Sequence, residues 1–171
     1  MQAAAVKMCV ACIFLSEGKM FAKSLNKLVI DADGCPVVRE AAKIAAEYSV
    51  QCMIVCDSSH YFNISTAETI VVSQGADAAD FYIVNHIGEG DVIVTQDYGL
   101  AAMCLAKKAC AINQDGKIYS DENISGLLES RAVGKKVMRA GGRLKGPPKR
   151  NKEQNDRFIK TIRRIFENGT V

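Results

Sequence analysis

The sequence predicts an α/β fold: one three-layer domain whose mainly parallel central sheet of about five strands carries helices on both faces. Three observations lead there. Short β-branched runs alternate with longer stretches whose apolar residues recur every three or four positions. Those runs lack polar alternation, as strands buried on both faces do. Acids and turn residues stand where the runs stop, at the carboxyl ends at which open α/β sheets bind ligands.

The first strand is Leu28-Val29-Ile30, ended by Asp31-Ala32-Asp33-Gly34-Cys35-Pro36. Gly34 and Pro36 break the strand, and Pro36 suits the first turn of a helix over 36–48. In that helix Val37, Val38, Ala41, Ile44 and Ala45 form the apolar face. Residues 50–56 read as a second buried strand, followed by Asp57 and His60 in a loop. Residues 69–72 make a third strand, and 76–87 a helix stopped by Gly88 and Gly90. A fourth strand spans 91–95, an alanine-rich helix 98–108, and a fifth strand 110–112. Ser120 caps a helix over 121–138, which Gly126 and Gly134 weaken. A glycine- and proline-containing loop over 140–149 precedes a last helix over 151–168, capped by the Asn151 and Gln154 pair.

The chain has 171 residues, 49% of them hydrophobic, which suits one domain with a real core. Residues 1–24 read as an irregular N-terminal extension, with Met20 an alternative start, and residues 25–171 as the domain. The apolar stretch 6–15 contains Lys7 and is too short to span a bilayer, so no membrane partner is expected. Seven cysteines, several inside apolar runs, point to a reduced, cytoplasmic protein rather than a disulfide framework. Cys9 and Cys12 form a lone Cys-x-x-Cys pair with no second half. Residues 1–130 carry 9 basic and 16 acidic side chains, whereas the basic C-terminal segment 131–171 carries 13 and 3. Such asymmetry suggests a polyanionic partner.

Three stretches bring acids to matching places. Asp31 and Asp33 follow the first strand, Asp77 and Asp80 share a face near a helix start, and Thr95-Gln96-Asp97 follows the fourth strand. Carboxylates that meet at one sheet edge resist ionising together unless a cation offsets them. Mg²⁺ or Mn²⁺ takes oxygen ligands, activates water and stabilises in-line displacement at phosphorus. Asp31, Asp33, Asp77, Asp80 and Asp97 are therefore the candidate metal ligands, with Asp31 and Asp97 catalytic. The blander alternatives are that Asp97 and Asp77 cap helices and that Thr95 ends a strand. Asp91 begins its strand and belongs to the opposite edge. His86 and Cys35 read as structural.

Residues 29–37, 75–80 and 90–102, with Gly146-Pro147 and Asp156-Arg157-Phe158, resemble the motifs of the YaiI/YqxD proteins, the DUF188 or UPF0178 family of bacteria. The likeness runs from residue 27 to about 166. It implies a PIN-like domain, in which Asp31, Asp77 or Asp80, and Thr95 with Asp97 match the acidic pattern of metal-dependent nucleases that act most often on RNA. One departure is Thr95-Gln96-Asp97-Tyr98-Gly99-Leu100-Ala101, where relatives commonly carry Thr-Ala-Asp and then Ile-Pro-Leu-Ala.

The expected function is RNA phosphodiester hydrolysis dependent on Mg²⁺ or Mn²⁺. Thr95, Arg139, Arg143, Lys145, Lys149 and Arg150 are the candidate substrate-binding residues, the cations holding the polynucleotide backbone. Two alternatives stand beside it: a non-catalytic nucleic-acid-binding or partner module, and a phosphatase with Asp31 as nucleophile. Association into a homodimer is left open.

Overall fold

The computed structural model describes residues 26–59, 61–73, 75, 77–142, 146 and 149–168. The N-terminal extension, with Cys9 and Cys12, lies outside them, as do His60, Arg143 and Lys145. In chain order the elements are β1 (Lys27–Asp31), α1 (Val38–Glu47), β2 (Gln51–Asp57), β3 (Glu68–Val72), α2 (Ala78–His86), β4 (Val92–Val94), α3 (Tyr98–Ala106), β5 (Cys110–Ile112), α4 (Asp121–Arg139) and α5 (Lys152–Asn168).

The five strands form one parallel sheet in the order β3-β2-β1-β4-β5. The chain runs outward from β1 to β3, then crosses back to place β4 on the other side of β1. The β1–β4 boundary is thus the switch point of the sheet, where a crevice opens beyond the strand ends. Register brings Ile30 opposite both Ile54 and Val94.

The two-residue alternation of strand side chains divides the core into two layers. Leu28 and Ile30 face α1 and α5, joining Ile44, Ile54, Phe158, Ile162 and Ile165, all buried. Val29 faces the other way, with Val55, Ile83, Ile93, Leu100 and Ile124 of the layer that holds α2, α3 and α4. Burial on both faces explains why the strands read as unbroken apolar runs.

Three local details depart from the sequence reading. Pro36 stands in a turn and α1 begins at Val38, because Gly34 (φ +72°) and a Cys35 N to Ala32 O bond of 3.1 Å fold the chain back before the helix can start. β4 is shorter than 91–95: Asp91 lies just before it, buried, and accepts from the Gly88 N–H at 2.9 Å. Asp77 does not cap α2, since its backbone is left-handed (φ +61°) and its side chain makes no capping bond. The Asn151–Gln154 pair does form, with reciprocal bonds of 2.9 and 3.0 Å. Among the described residues no helix is long and apolar enough to cross a membrane.

Candidate metal centre

The site grows from the ends of β1 and β4. Thr95, fully buried, follows β4 and donates its hydroxyl to Asp31 Oδ2 at 2.7 Å. Thr95 Oγ1 also accepts the Asp97 N–H at 3.0 Å. One side chain therefore ties the two strand ends together across the switch point. Asp97 begins α3: its Oδ1 accepts from the N–H groups of Gly99 at 2.6 Å and Leu100 at 3.3 Å. The helix-cap alternative for Asp97 is thus realised, and it leaves Oδ2 directed at Arg131 NH1, 2.8 Å away.

Around this pair the cleft, about 440 Å³, is lined by Asp31, Asp33, Asp57, Asp77, Asp80 and Asp97. Arg131 is its one lining cation among the described residues. Asp33 Oδ1 accepts from the Asp57 N–H at 3.2 Å, and Asp57 accepts from Ser59, so β2 adds its own carboxylate to the edge. All five aspartates expected as ligands meet here. Asp91, as expected, does not.

The electrostatics follow from the crowding. Burial pushes the Asp31 carboxyl up to about 6, against the Thr95 hydrogen bond, with Asp80, Asp33 and Asp97 adding repulsion. Asp80 is raised by burial and then by Asp97 and Asp77. Asp97 goes the other way: burial opposes ionisation, but the bonds from Arg131, Gly99 and Leu100 outweigh it and hold the carboxyl below the usual range. Burial pushes the neighbouring Cys35 thiol up to about 11, which keeps it protonated and unsuited to nucleophilic attack.

An oxygen-only set with five negative charges in excess of its one cation suits a hard divalent ion. Among the described residues no three His, Cys, Asp or Glu side chains close into a ready cage. The carboxylates line a cleft instead, the arrangement with which Mg²⁺ is commonly held by one or two carboxylates, waters and substrate phosphate. The donor set therefore fits such an ion.

The cations fall elsewhere than the sequence reading placed them. Arg139 and Lys149 are exposed and do not line the cleft. Arg150 is engaged within the protein: it donates to Asp115 Oδ1, Gln114 O and Asn155 Oδ1, each at 2.6 Å. The cation that reaches the acids is instead Arg131, which the sequence does not single out from the rest of the basic segment. Ile124, Leu127 and Arg131 lie three and four apart on the face of α4 that docks on α3, and that docking, which no local pattern specifies, carries the guanidinium to Asp97.

Comparison with known proteins gives the family of the chain. The model of the family DUF188, described as "Uncharacterized BCR, YaiI/YqxD family", matches residues 29–168. A UPF0178 protein of Exiguobacterium sibiricum is 48% identical over 144 residues, covering 84% of this chain and 99% of its own. A UPF0178 protein of Clostridium acetobutylicum is 42% identical over 147 residues, covering 85% and 99%. One of Alkaliphilus oremlandii is 45% identical over 132 residues, covering 77% and 85%. No solved structure matches the chain. With nearly all of the described domain inside the match, the chain belongs to the DUF188 (YaiI/YqxD, UPF0178) family.

Proposed function

We propose that this protein is a Mg²⁺- or Mn²⁺-dependent phosphodiesterase of PIN-like type acting on RNA, with Asp31 and Asp97 as its central carboxylates. The observation that carries the reading is the gathering of six aspartates, from three strand ends and one helix, in a single cleft at the switch point of a parallel sheet. A structural role alone does not account for Asp31, which costs stability where it stands and pairs with no cation among the described residues.

Each residue has a task in that reaction. Thr95 fixes the rotamer of Asp31 and the backbone of Asp97 with one hydroxyl. Asp97, held ionised by its helix and by Arg131, and Asp31 present oxygens to the ion, while Asp33, Asp77 and Asp80 set the field around it. Arg131 stands at the cleft wall, where a guanidinium can share the charge that develops on phosphoryl oxygens. A bound ion supplies Lewis-acid neutralisation of the phosphate and makes water more acidic. The phosphatase alternative has less support, because Asp31 Oδ2 is tied to Thr95 and no lysine lines the cleft among the described residues.

Calorimetric titration of Mn²⁺ into the wild type, Asp31→Asn and Asp97→Asn, followed by cleavage of single-stranded RNA on a gel, tests the proposal. Binding by the wild type, loss of it in both folded variants, and RNA cleavage abolished by EDTA are expected. A wild type that binds no Mn²⁺, with or without RNA, would sink it.

A further inference from the structure

We infer that the groove between the 113–118 turn and α5 is a second polyanion site, which holds the phosphate backbone of the nucleic acid whose scissile bond lies in the acidic cleft. The inference rests on the phosphodiesterase reading for its ligand, but on separate residues for its site. Asn113 to Lys117 leave the sheet directly after β5, so they stand at the same carboxyl edge as Asp31 and Thr95, two strands away from β1. At ~4.8 Å per strand the two places are about 10 Å apart along the edge.

The groove is built rather than incidental. Arg150 takes up the charge of Asp115, the acid of the turn, and Gln154 Nε2 adds a bond to the same carboxylate at 3.2 Å. Gly116 (φ +78°) presses so close to α5 that a Cβ there would stand 2.8 Å from the Arg157 carbonyl oxygen. With its acid neutralised, the turn offers Lys117 beside Arg157, Lys160 and Thr161 in a depression of about 380 Å³. Arg164, a turn further along α5, borders the adjoining depression.

Arg157, Lys160 and Arg164 are three and four residues apart and share one face, beside the stripe of buried Phe158, Ile162 and Ile165. They span about 10 Å of helix axis, on the order of two or three successive phosphates of a strand. Surface helices commonly offset such a row with paired acids. Here Glu153 and Asp156 stand a turn upstream, yet none of the four cations forms an ion pair among the described residues. No aromatic ring lines either depression, so the chemistry offered is charge and hydrogen bonding to backbone phosphate, without base stacking.

The test measures binding of a fluorescently labelled single-stranded RNA by anisotropy in EDTA, across a salt series. The protein forms compared are the wild type, the quadruple variant Lys117→Ala/Arg157→Ala/Lys160→Ala/Arg164→Ala, the double variant Lys160→Glu/Arg164→Glu, and the control Lys43→Ala/Lys107→Ala. Thermal melts check folding, and the double variant serves if the quadruple one fails to fold. The quadruple variant is expected to weaken binding at least tenfold and to flatten the salt slope by about 3, at ~0.7 per lost contact, while the control matches the wild type. An unchanged slope in folded variants overturns the inference, as does a wild type that binds no RNA, or displacement of the strand by equimolar inorganic phosphate. Neither metal nor hydrolysis enters this assay. A wild type with the expected slope here but no RNA cleavage in the separate Mn²⁺ assay therefore supports the groove and refutes the phosphodiesterase reading.

Discussion

Asp31→Asn should stabilise the ion-free protein at pH 8. The folded carboxyl titrates at about 6 against an ordinary 3.8. The difference of about two units, at ~1.4 kcal/mol each, amounts to about 3 kcal/mol against the ionised form. The side chain is only half-buried, so solvent reduces this to about 2 kcal/mol. The sign follows from proton linkage: between pH 3.8 and 6 the folded state binds more protons than the unfolded one, so wild-type stability falls as pH rises through this window. Asparagine keeps the shape, still accepts from Thr95, and never ionises. Thermal melts in EDTA should show the variant ~4–8 °C above the wild type at pH 8, given ~2–4 °C per kcal/mol for a chain of this size, and nearly level with it at pH 4. Adding Mn²⁺ at a hundredfold over its dissociation constant should raise the wild type by ~2.7 kcal/mol and leave the variant unmoved. A variant that melts at or below the wild type at pH 8 in EDTA would refute the claim that Asp31 is held at a cost.

Thr95→Val removes the hydroxyl that serves both Asp31 and Asp97; it should cost ~1–3 kcal/mol in urea unfolding and move the midpoint of pH-dependent Mn²⁺ binding above that of the wild type. Arg131→Ala breaks a part-exposed ion pair, so stability should change by less than ~1 kcal/mol, while calorimetry should show tighter Mn²⁺ binding because a cation has left the cleft. Arg150→Ala strips two hydrogen bonds from the 113–117 turn and one from Asn155 of α5, and should lower stability by ~1–3 kcal/mol without altering Mn²⁺ affinity; altered affinity would place Arg150 in the cleft after all. Gly116→Ala combines a left-handed backbone with a 2.8 Å clash and should cost more than ~1 kcal/mol in chemical denaturation, so a neutral result would discount the fit of the turn against α5.

The sequence alone determined much of this protein, for local reasons. Short, β-branched apolar runs such as Leu28-Val29-Ile30, stopped by Gly34 and Pro36, suit strands covered on both faces, so the layered α/β architecture followed from them. Asp31 and Thr95 were legible as edge residues because they stand where those runs stop. The helix of residues 152–168 and its Asn151 cap were written in spacing and cap chemistry. What the sequence left open depended on partners distant along the chain. The order β3-β2-β1-β4-β5 decides that Asp31 and Thr95, 64 residues apart, touch at the switch point, and no local pattern encodes strand order. The same holds for the cations. In sequence Arg150 and Arg131 are equivalent members of a basic segment. Only packing turns one inward to clamp the turn after β5 and carries the other along α4 to Asp97. A charge reports its sign in the sequence, but its work depends on what folding places within about 4 Å of it.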